Sequence, residues 1–547
     1  MYRQIKNLFT EKHRLRLTAI LCLIVLYASA QSALTAPVGN PVLPASSSAK
    51  KRVEMKRAQS MSKRDNFEPL ILKDSVVLYH DGAYMYCDSA YINETDNTFE
   101  AFSNIKVEQG DTLFLYGDYL HYDANFKLLR VRNNVRMENK NVTLFTDSLN
   151  YNRAINFAYY FEGGMLVDEE NELTSYWGQY EPTVKIAIFS DSVKLVNAKF
   201  TLFSDTLRYN TDNKIATILG PSTIVSDSGI IYTKRGWYDT QTEESRLFDR
   251  SLIVNKEGNR TLTGDTVIYD KTKGYGEVFG NMYLQDTLKK VILRGNYGYF
   301  DELRDYAMAT DSAFCIEYSQ ADSLYLHGDT LKLETDSIYR RIKAYYHVRF
   351  YRSDVQGVCD SMQFNTKDSI LYMYKEPVLW NEEQQLNGDT IEIFMNDSTI
   401  DFVHMKKYCF AIAQLDSASH YNQLKGRDLK AYFEGKDLRY ILVEGNAESI
   451  FYPEEKDGAM IGMNQTESSF LAITMRQRKI EKLKLWSKSK GKMTPIPDLQ
   501  KEQLTLKDFQ WFDYLRPLNK DDIFRIAKKK DEAIRPQISL DKFRQEE

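Results

Sequence analysis

The stretch Gly117-Asp118-Tyr119-Leu120-His121-Tyr122-Asp123 decides the fold, because altered copies of it return along most of the chain. The clearest further copies begin at Ser204, Gly264, Gly328 and Gly388. Weaker copies begin at Cys87, Thr146, Gly295, Cys359 and Gly426, and two that keep only the spacing lie around Tyr176 and Lys234. Successive copies are roughly 30 residues apart, and a fixed period of this size predicts a stack of repeats.

The copy at Gly264 shows the parts of one repeat. Asp265–Tyr269 alternates polar and apolar residues, which is typical of a half-buried strand. Asp270–Gly274 has turn chemistry, and Tyr275–Phe279 is predicted as a second strand. Gly280-Asn281 indicates a tight turn or bulge before a third strand, Met282–Leu284. The sequence therefore predicts an all-β stack.

Side chains two apart on a strand share a face, so each copy offers inward apolar positions. One repeat cannot bury this face alone, but stacked neighbours can. The candidate inward positions are Leu120, Tyr122, Val135, Met137, Leu149, Tyr151, Met165, Val167, Leu207, Tyr209, Val267, Tyr269, Met282, Leu284, Leu331, Leu333, Met362, Phe364, Val378, Ile391 and Ile393.

Composition agrees with a long β-repeat protein. The 547 residues would suggest several domains, but the core of a repeat stack grows in one dimension. With 37 Tyr and 28 Phe the chain favours strands, and 12 Pro with 26 Gly are too few for a disordered chain.

The first part of the chain is predicted to direct export. Lys12, Arg14 and Arg16 precede the short apolar run Leu17–Tyr27, and Ala28-Ser29-Ala30 is a cleavage pattern, so residues 1–30 are interpreted as a secretory signal peptide. An uncleaved membrane anchor is the competing interpretation. Residues 31–68 are predicted to be a basic disordered linker.

The repeat array is predicted over residues 69–488, with a division into two sub-arrays left open because the copies near Tyr176 and Lys234 are degraded. Residues 489–547 are predicted to form a linker followed by a helical C-terminal cap. The amphipathic segment Lys507–Lys530 supplies that helix and is expected to cover the last sheet edge. A partner-binding helix is the alternative.

Catalytic and metal-binding patterns are missing from the sequence. The seven His are scattered, no pair has metal-ligand spacing, and no nucleophile or phosphate-loop motif occurs. Cys87 and Cys359 stand where other copies have Gly, which indicates small buried residues rather than a redox pair. The recurrent Asp is interpreted as opening a strand by accepting hydrogen bonds from nearby backbone, with metal binding as the less favoured alternative. The sequence predicts no enzyme, cofactor or metal site.

The motif Gly-Asp-x-Leu-x-Tyr-Asp, a turn, then Gly-Asn-Val/Met-x-Val/Leu resembles the OstA-like repeat of the LptA family and of the periplasmic part of LptD. It is plainest in Gly264–Asp270 with Gly280–Leu284 and in Gly117–Asp123 with Asn133–Met137, and the resemblance covers roughly residues 70–485. It implies an elongated open β-jelly-roll of two facing antiparallel sheets. It also implies a periplasmic protein that carries lipopolysaccharide with its acyl chains in an apolar slit, which the inward positions would line.

The same resemblance implies that other β-jelly-roll components of the transport pathway pair with the sheet edges; nucleic acid is not an expected partner. The predicted partner edge is Val76-Val77-Leu78-Tyr79, because only the basic linker precedes it. Attachment to the inner or outer membrane is left open. The alternative function is a structural or interaction β-solenoid of the cell envelope with a filled core and no lipid. A polysaccharide-processing enzyme is a third possibility and would need clustered acidic residues.

Overall fold

The structure is a computed structural model that describes residues 51–63, 69–301, 303–319, 322–336, 339–396, 399–415, 420–435, 437–453, 460–476 and 479–527. The predicted signal peptide lies outside these residues. Lys51 and Arg52 belong to a separate unit, Met1–Arg52, and everything below concerns the unit Val53–Glu547.

The described residues form 40 strands that join in one antiparallel sheet. The strands of the first part of the chain are β1 (Glu54–Arg57), β2 (Ser60–Ser62), β3 (Leu70–His80), β4 (Ala83–Asn93), β5 (Thr98–Gln109), β6 (Leu113–Asp123), β7 (Leu128–Asn139), β8 (Val142–Asn152), β9 (Phe157–Tyr160), β10 (Gly164–Val167), β11 (Asn171–Ser175), β12 (Trp177–Glu181), β13 (Ile186–Asn197), β14 (Phe200–Asn210), β15 (Ile215–Ile218), β16 (Ser222–Ser226), β17 (Gly229–Thr233) and β18 (Arg235–Asp239). Those that follow are β19 (Glu244–Phe248), β20 (Leu252–Asn255), β21 (Arg260–Thr263), β22 (Thr266–Asp270), β23 (Tyr275–Asp286), β24 (Val291–Asp301), β25 (Tyr306–Thr310), β26 (Phe314–Glu317), β27 (Leu324–His327), β28 (Thr330–Asp336), β29 (Tyr339–Arg352), β30 (Val355–Asn365), β31 (Ile370–Tyr374), β32 (Val378–Asn381), β33 (Gln384–Asn387), β34 (Thr390–Asn396), β35 (Thr399–Gln414), β36 (Tyr421–Glu434), β37 (Asp437–Phe451), β38 (Gly462–Arg476), β39 (Lys479–Trp486) and β40 (Lys490–Pro495). The fold is all-β, as the sequence predicts.

Every rung of this sheet bends at its middle, along a line that we call the crease. In β7 the bend is made by Asn133 and Asn134, whose φ angles are 63° and 53°, and the register of the ladder shifts there. In other rungs the bend separates two strands, as Asp311 and Ser312 do between β25 and β26. Such pairs of left-handed residues occur in alternate rungs, and the rungs between them follow the same bend, so each rung contributes one segment to each of two walls.

The two walls follow from the strand pairing. Wall 1 comprises β2, the first halves of β3, β5, β7, β13, β23, β29, β35 and β37, the second halves of β4, β6, β8, β14, β24, β30, β36 and β38, and β9, β12, β15, β18, β19, β22, β25, β28, β31, β34 and β39. Wall 2 comprises the remaining segments. Their inner faces pack together, since a Cβ placed on Gly298 of wall 1 would lie 2.1 Å from the Met282 sulfur of wall 2. The ends of the strands away from the crease form the rim of each wall.

The crease explains the repeated Gly-Asp motif. A Cβ on Gly117 would lie 2.4 Å from Val131 Cγ1, so this position on the inside of the bend needs a very small side chain. Asp118, on the outside, accepts a 2.6 Å hydrogen bond from the side-chain amide of Asn134. Asp265 likewise accepts one from Asn281 at 2.8 Å. Side-chain amides of the neighbouring bend thus add to the backbone donors expected from the sequence.

The predicted partner edge, Val76–Tyr79, is not an edge, which corrects that prediction. Val77 is paired with Arg57 of β1 on one side and with Tyr86 of β4 on the other. The outermost strands at this end are β1 and β2, which are formed by residues that the sequence assigns to a disordered linker. Their side chains are exposed and too few to show an alternation, which is why the sequence pattern misses them.

In its described part, residues 507–527, the C-terminal segment is not the predicted α-helix, and it does not cover the last edge. Residues 496–527, here called the strap, contain four 3-10 turns of three residues each. The strap crosses the outer face of wall 2, where Gln385 donates to Gln510 O and accepts from Phe512 N at 2.9 and 2.7 Å. Pro495, Pro497 and Pro517 oppose a continuous helix. Among the described residues, β39 and β40 pair only with β38.

Among the residues that the structure describes, no helix is long and apolar enough to cross a membrane.

Candidate functional site

Two rows of apolar side chains run along the inner face of wall 1, one beside the crease and one nearer the rim. The crease row is buried along its length and includes Leu72, Leu120, Leu149, Leu207, Val267, Leu331, Met362, Ile391, Leu429 and Leu471. The rim row changes its exposure along the molecule and therefore decides where an apolar surface is accessible.

In the first part of the molecule the rim row is buried. Strand pairing joins its members in the order Ile92, Phe99, Tyr122, Leu129, Tyr151, Ala158, Tyr180, Ala187, Tyr209, Ala216 and Tyr238. None of these side chains is more than 8% exposed. Aromatic residues alternate with smaller ones over much of this row, so that neighbouring strands interdigitate and fill the space between the walls.

Tyrosine hydroxyls of this row reach across to the rim of wall 2. The Tyr122 hydroxyl lies 2.7 Å from His80 Nδ1 and accepts a 3.1 Å hydrogen bond from Arg153. Arg153 also donates to the carbonyl of His80 at 3.2 Å and to that of Asp81 at 3.0 Å. Tyr180 accepts a 3.0 Å hydrogen bond from Asn139 of wall 2. These bonds join the rims over a filled core.

The strongest of these connections is centred on Asp168, whose side chain is fully buried. Its carboxylate accepts hydrogen bonds from Tyr209 at 2.6 Å and from Lys214 at 2.8 Å. Burial alone would raise the pKa of Asp168, but the hydrogen bonds from Lys214 and Tyr209 outweigh it, so the pKa lies below its ordinary value. Burial and the bond to Asp168 raise the pKa of Tyr209. Asp168 is therefore a charged tie between the walls.

The hydrogen bonds and ion pairs that join one rim to the other, where both partners are described, all lie between Val53 and Glu243. We call residues 70–243 the closed half and residues 244–476 the open half. Both have a continuous apolar core along the crease.

In the open half the rim row is accessible to solvent as far as Leu371, and beyond it the row is buried again at Ile393, Val403, Ala431 and Ile473. Strand pairing continues it as Tyr269, Gly276, Phe300, Ala307, Leu333, Ile342, Phe364 and Leu371, and all but Gly276 are partly or well exposed, with Ile342 at 37%. On wall 2 the partly buried residues Leu284, Leu293 and Cys315 pack against the same core. We call the space between these side chains the groove. Its surface can take apolar chains from a ligand, at about 25 cal/mol per Å² of buried apolar area.

The exposure of the predicted lining residues depends on the half in which they lie. Those of the closed half that point inward are buried in its core: Leu120, Tyr122, Val135, Met137, Leu149, Tyr151, Leu207 and Tyr209. In the open half the crease-side positions Val267, Met282, Leu331, Met362 and Ile391 are also buried, and so is Ile393 of the rim row. Tyr269, Leu284, Leu333 and Phe364 are partly exposed, so four of the predicted positions border accessible space.

Three predicted lining residues point outward, which corrects the sequence prediction. In β10 the inward residue is the buried Leu166, so Met165 and Val167 lie on the outer face. Val378 packs with Trp380, Phe512 and Leu515 under the strap, while Leu379 points into the core. A one-residue shift in register exchanges the two faces of a strand. For β10 and β32 the predicted register is wrong by one residue, because each strand starts after an irregular bend.

Sequence reasoning missed the change from closed to open, although a signal was present. The motif ends in tyrosine at Tyr122, Tyr151, Tyr180, Tyr209, Tyr238 and Tyr269, and then in Phe300, Leu333, Phe364 and Ile393. After Tyr269 these positions have no hydroxyl to reach the opposite rim. The strap contacts were also missed, because they depend on side chains far apart in sequence.

The described cysteines Cys87, Cys315, Cys359 and Cys409 are free, and burial raises the pKa of Cys87 to about 12. Within the described ranges, no group of three or more His, Cys, Asp or Glu is arranged to hold a metal ion.

The fold and groove thus define a repeat protein of two β-walls with an apolar space open in one half. Residues 50–205 match the family described as OstA-like protein, which confirms the resemblance of the repeats over that segment. The matched segment lies in the closed half, apart from its first residues.

Among solved structures, one similar chain is LptH from Pseudomonas aeruginosa, described as the LptA-homologous periplasmic component of the conserved lipopolysaccharide transport device. The alignment has 12% identity, covers 20% of this chain and 79% of LptH, and has a TM-score of 0.19. No curated protein matches.

Proposed function

We propose that this protein takes part in lipopolysaccharide transport in the periplasm and shields acyl chains in the groove of its open half. The observation that carries the proposal is the rim row, which is buried and tied in the closed half and half-exposed from Tyr269 to Leu371. The OstA-like match supports the pathway. Export by residues 1–30 is part of the same proposal.

The groove fits acyl chains better than a polar ligand. Phe300, Leu333 and Phe364 present apolar surface without hydroxyl or amide groups. A lipid chain removes such surface from water, which is favourable, whereas a sugar would lose hydrogen bonds to water without replacement. Lateral access along the rims leaves a headgroup in solvent.

Photo-crosslinking in cells tests the proposal with adjacent positions. A photoreactive residue at Phe364 faces the groove, and one at Gln363 lies on the outer face of the same strand. We expect lipopolysaccharide to be captured from Phe364 and not from Gln363 or from the fully buried Leu120. Equal capture from Phe364 and Gln363, or capture from Leu120 alone, would contradict the assignment of the groove.

The second candidate function is a structural β-solenoid, and the filled closed half favours it. Under that function the partly exposed row would be a loosely packed core. It predicts that no lipid copurifies with the protein and that depletion leaves the outer membrane intact. Lipopolysaccharide in the purified protein, lost on substituting Phe364 by aspartate, would exclude it.

The edge that pairs with another β-jelly-roll of the pathway is proposed to be β39, at the C-terminal end. It has eight residues, whereas β1 and β2 at the other end have four and three. Among the described residues β39 is paired on one side only. Leu483→Pro removes a backbone donor from this strand and is expected to weaken assembly with such a component in sedimentation. Unchanged assembly would contradict this polarity.

A further inference from the structure

The rims beside the groove carry two cations from opposite walls. Lys289 lies in the turn between β23 and β24 on wall 2, and Arg340 lies near the rim end of β29 on wall 1. Neighbouring cations are paired, as Arg260 is with Asp286 at 3.4 Å and Arg304 with Asp301 at 3.5 Å. Neither Lys289 nor Arg340 forms an ion pair with any carboxylate that the structure describes.

The charge of Arg340 on wall 1 acts on Lys289 on wall 2. Partial burial lowers the pKa of Lys289, and the charges of Arg340 and Arg260 lower it further. Asp286 and Asp305 act in the opposite direction and do not compensate. Like charges held together away from water are unfavourable unless an anion lies between them. Because neither Lys289 nor Arg340 has an ion-pair partner among the described carboxylates, an anion bound between them would be favoured.

Apolar surface lies directly below and beside these charges. Ile342 of the same strand as Arg340 and Leu333 of the neighbouring β28 are exposed to the groove, and Phe300 is exposed in β24, which β25 separates from β28. At the turns, Leu288 is 75% exposed and Leu303 is 80% exposed. A molecule with apolar chains in the groove would have its headgroup at this mouth.

We propose that Lys289, Arg340 and Arg260 form an anion-binding subsite for the phosphorylated headgroup of an amphiphile whose acyl chains lie in the groove. The subsite rests on the proposed function and adds the headgroup chemistry to it. Guanidinium groups bind phosphate oxygens through paired hydrogen bonds, and an ammonium adds a point charge. Arg260 is already paired with Asp286, so the net positive charge of the subsite comes from Lys289 and Arg340.

The test uses the full mature protein and two double variants of equal charge change. Lys289→Gln with Arg340→Gln removes the subsite. Lys273→Gln with Arg304→Gln is the control, because both side chains are well exposed, at 69% and 82%. The ligands are a bisphosphorylated lipid A, the same lipid after dephosphorylation, and inorganic pyrophosphate. Lipid affinity is measured by fluorescence and pyrophosphate binding by the shift in Tm.

We expect the subsite variant to bind the bisphosphorylated lipid about tenfold more weakly or worse, with the dephosphorylated lipid unaffected and the control variant unchanged. Pyrophosphate should raise the Tm of the wild type and control but not that of the subsite variant. Equal binding of both lipids by all three proteins, without a pyrophosphate effect, overturns the subsite and leaves the proposed function intact. A pyrophosphate effect that depends on the two cations, without binding of either lipid, supports the subsite and removes the lipid function. Absence of all binding overturns both.

Discussion

Tyr122 in the closed half and Phe364 in the open half occupy the same row of wall 1, yet one is fully buried and the other borders solvent. The rings have similar size, and both rows pack over a continuous crease core. The difference is the hydroxyl group, which in Tyr122 meets His80 of the opposing rim and Arg153 of its own rim, and Arg153 in turn donates to the carbonyls of His80 and Asp81. At these two positions of the same row, a buried and an accessible side chain therefore differ by a few polar atoms at the rim.

Burial of the rim row also depends on how completely its side chains fill the space between the two walls. Ala158, Ala187 and Ala216 stand between tyrosines in the closed half and leave room for their rings. In the open half the aliphatic residues Leu333 and Leu371 stay partly exposed and Ile342 is exposed. The strap lies only over the outer face of wall 2 in the open half, where Arg349 donates to Leu515 O at 2.9 Å. We infer that it braces the wall that has no ties at its rim.

The largest expected difference between the halves concerns the charged tie. Asp168→Ala leaves Lys214 buried beside Tyr209 without its partner, and breaking such a pair costs about 3–5 kcal/mol. The free energy of unfolding from urea titration measures the loss. Asp212→Ala removes an exposed ion pair with Lys185 in the same half and should have little effect. Equal losses in the two variants would show that the tie does not hold the rims.

The same tie gives a pH dependence with a definite sign. Because the folded state lowers the pKa of Asp168, its contribution is present above the ordinary value of about 3.9 and is lost as the pH falls through the lower folded-state value. The wild type should therefore lose stability more steeply on acidification than Asp168→Ala. Parallel acid titrations of the two proteins would contradict this.

A matched pair of truncations compares the packing of the two rows. Leu129→Ala removes a fully buried side chain of the closed half and should cost about 2–5 kcal/mol. Leu371→Ala, at a partly exposed position of the open half, should cost clearly less, because less area is lost and solvent can enter. Urea unfolding measures both. A larger loss for Leu371→Ala would mean that the open row is a filled core.

The sequence predicted the walls better than it predicted the space between them. Alternation in Asp265–Tyr269 and the turn residues around Gly280 are local, so strands, bends and most inward faces follow from them. Exposure of Phe364 depends instead on what the other wall offers, and no local pattern contains that information. Errors at Met165, Val167 and Val378 arose where the strand starts after an irregular bend. Apolar side chains beneath the strap, such as Phe410, look like inner core in sequence.

Alanine substitutions of two crease glycines, one in each half, are expected to show a smaller difference in stability. Gly117→Ala places a Cβ 2.4 Å from Val131 Cγ1, a branched side chain in a full core, and should cost about 1–3 kcal/mol. At Gly328 in the open half the nearest atom to a new Cβ is 3.6 Å away, so Gly328→Ala should be neutral or slightly stabilising. Thermal unfolding distinguishes the two. Similar losses would indicate that the crease is equally tight in both halves.

Exchange of the single hydroxyl is the smallest change and the most direct test of the comparison. Tyr122→Phe gives the closed half the residue type of the open half, and removes one hydrogen-bond partner from both His80 and Arg153. We expect a loss of about 0.5–1.5 kcal/mol, because the ring still fills its place and only the hydrogen bonds are lost. The reverse exchange, Phe364→Tyr, adds a hydroxyl at a solvent-accessible position and should leave stability unchanged.

Hydrogen exchange of β3 and β6 should rise in Tyr122→Phe, since the rims there lose a tie, while exchange in β30 stays the same in Phe364→Tyr. If neither substitution changes stability or hydrogen exchange, the hydroxyl groups do not distinguish the two halves. The close packing allowed by Ala158, Ala187 and Ala216 must then account for the buried rim row of the closed half.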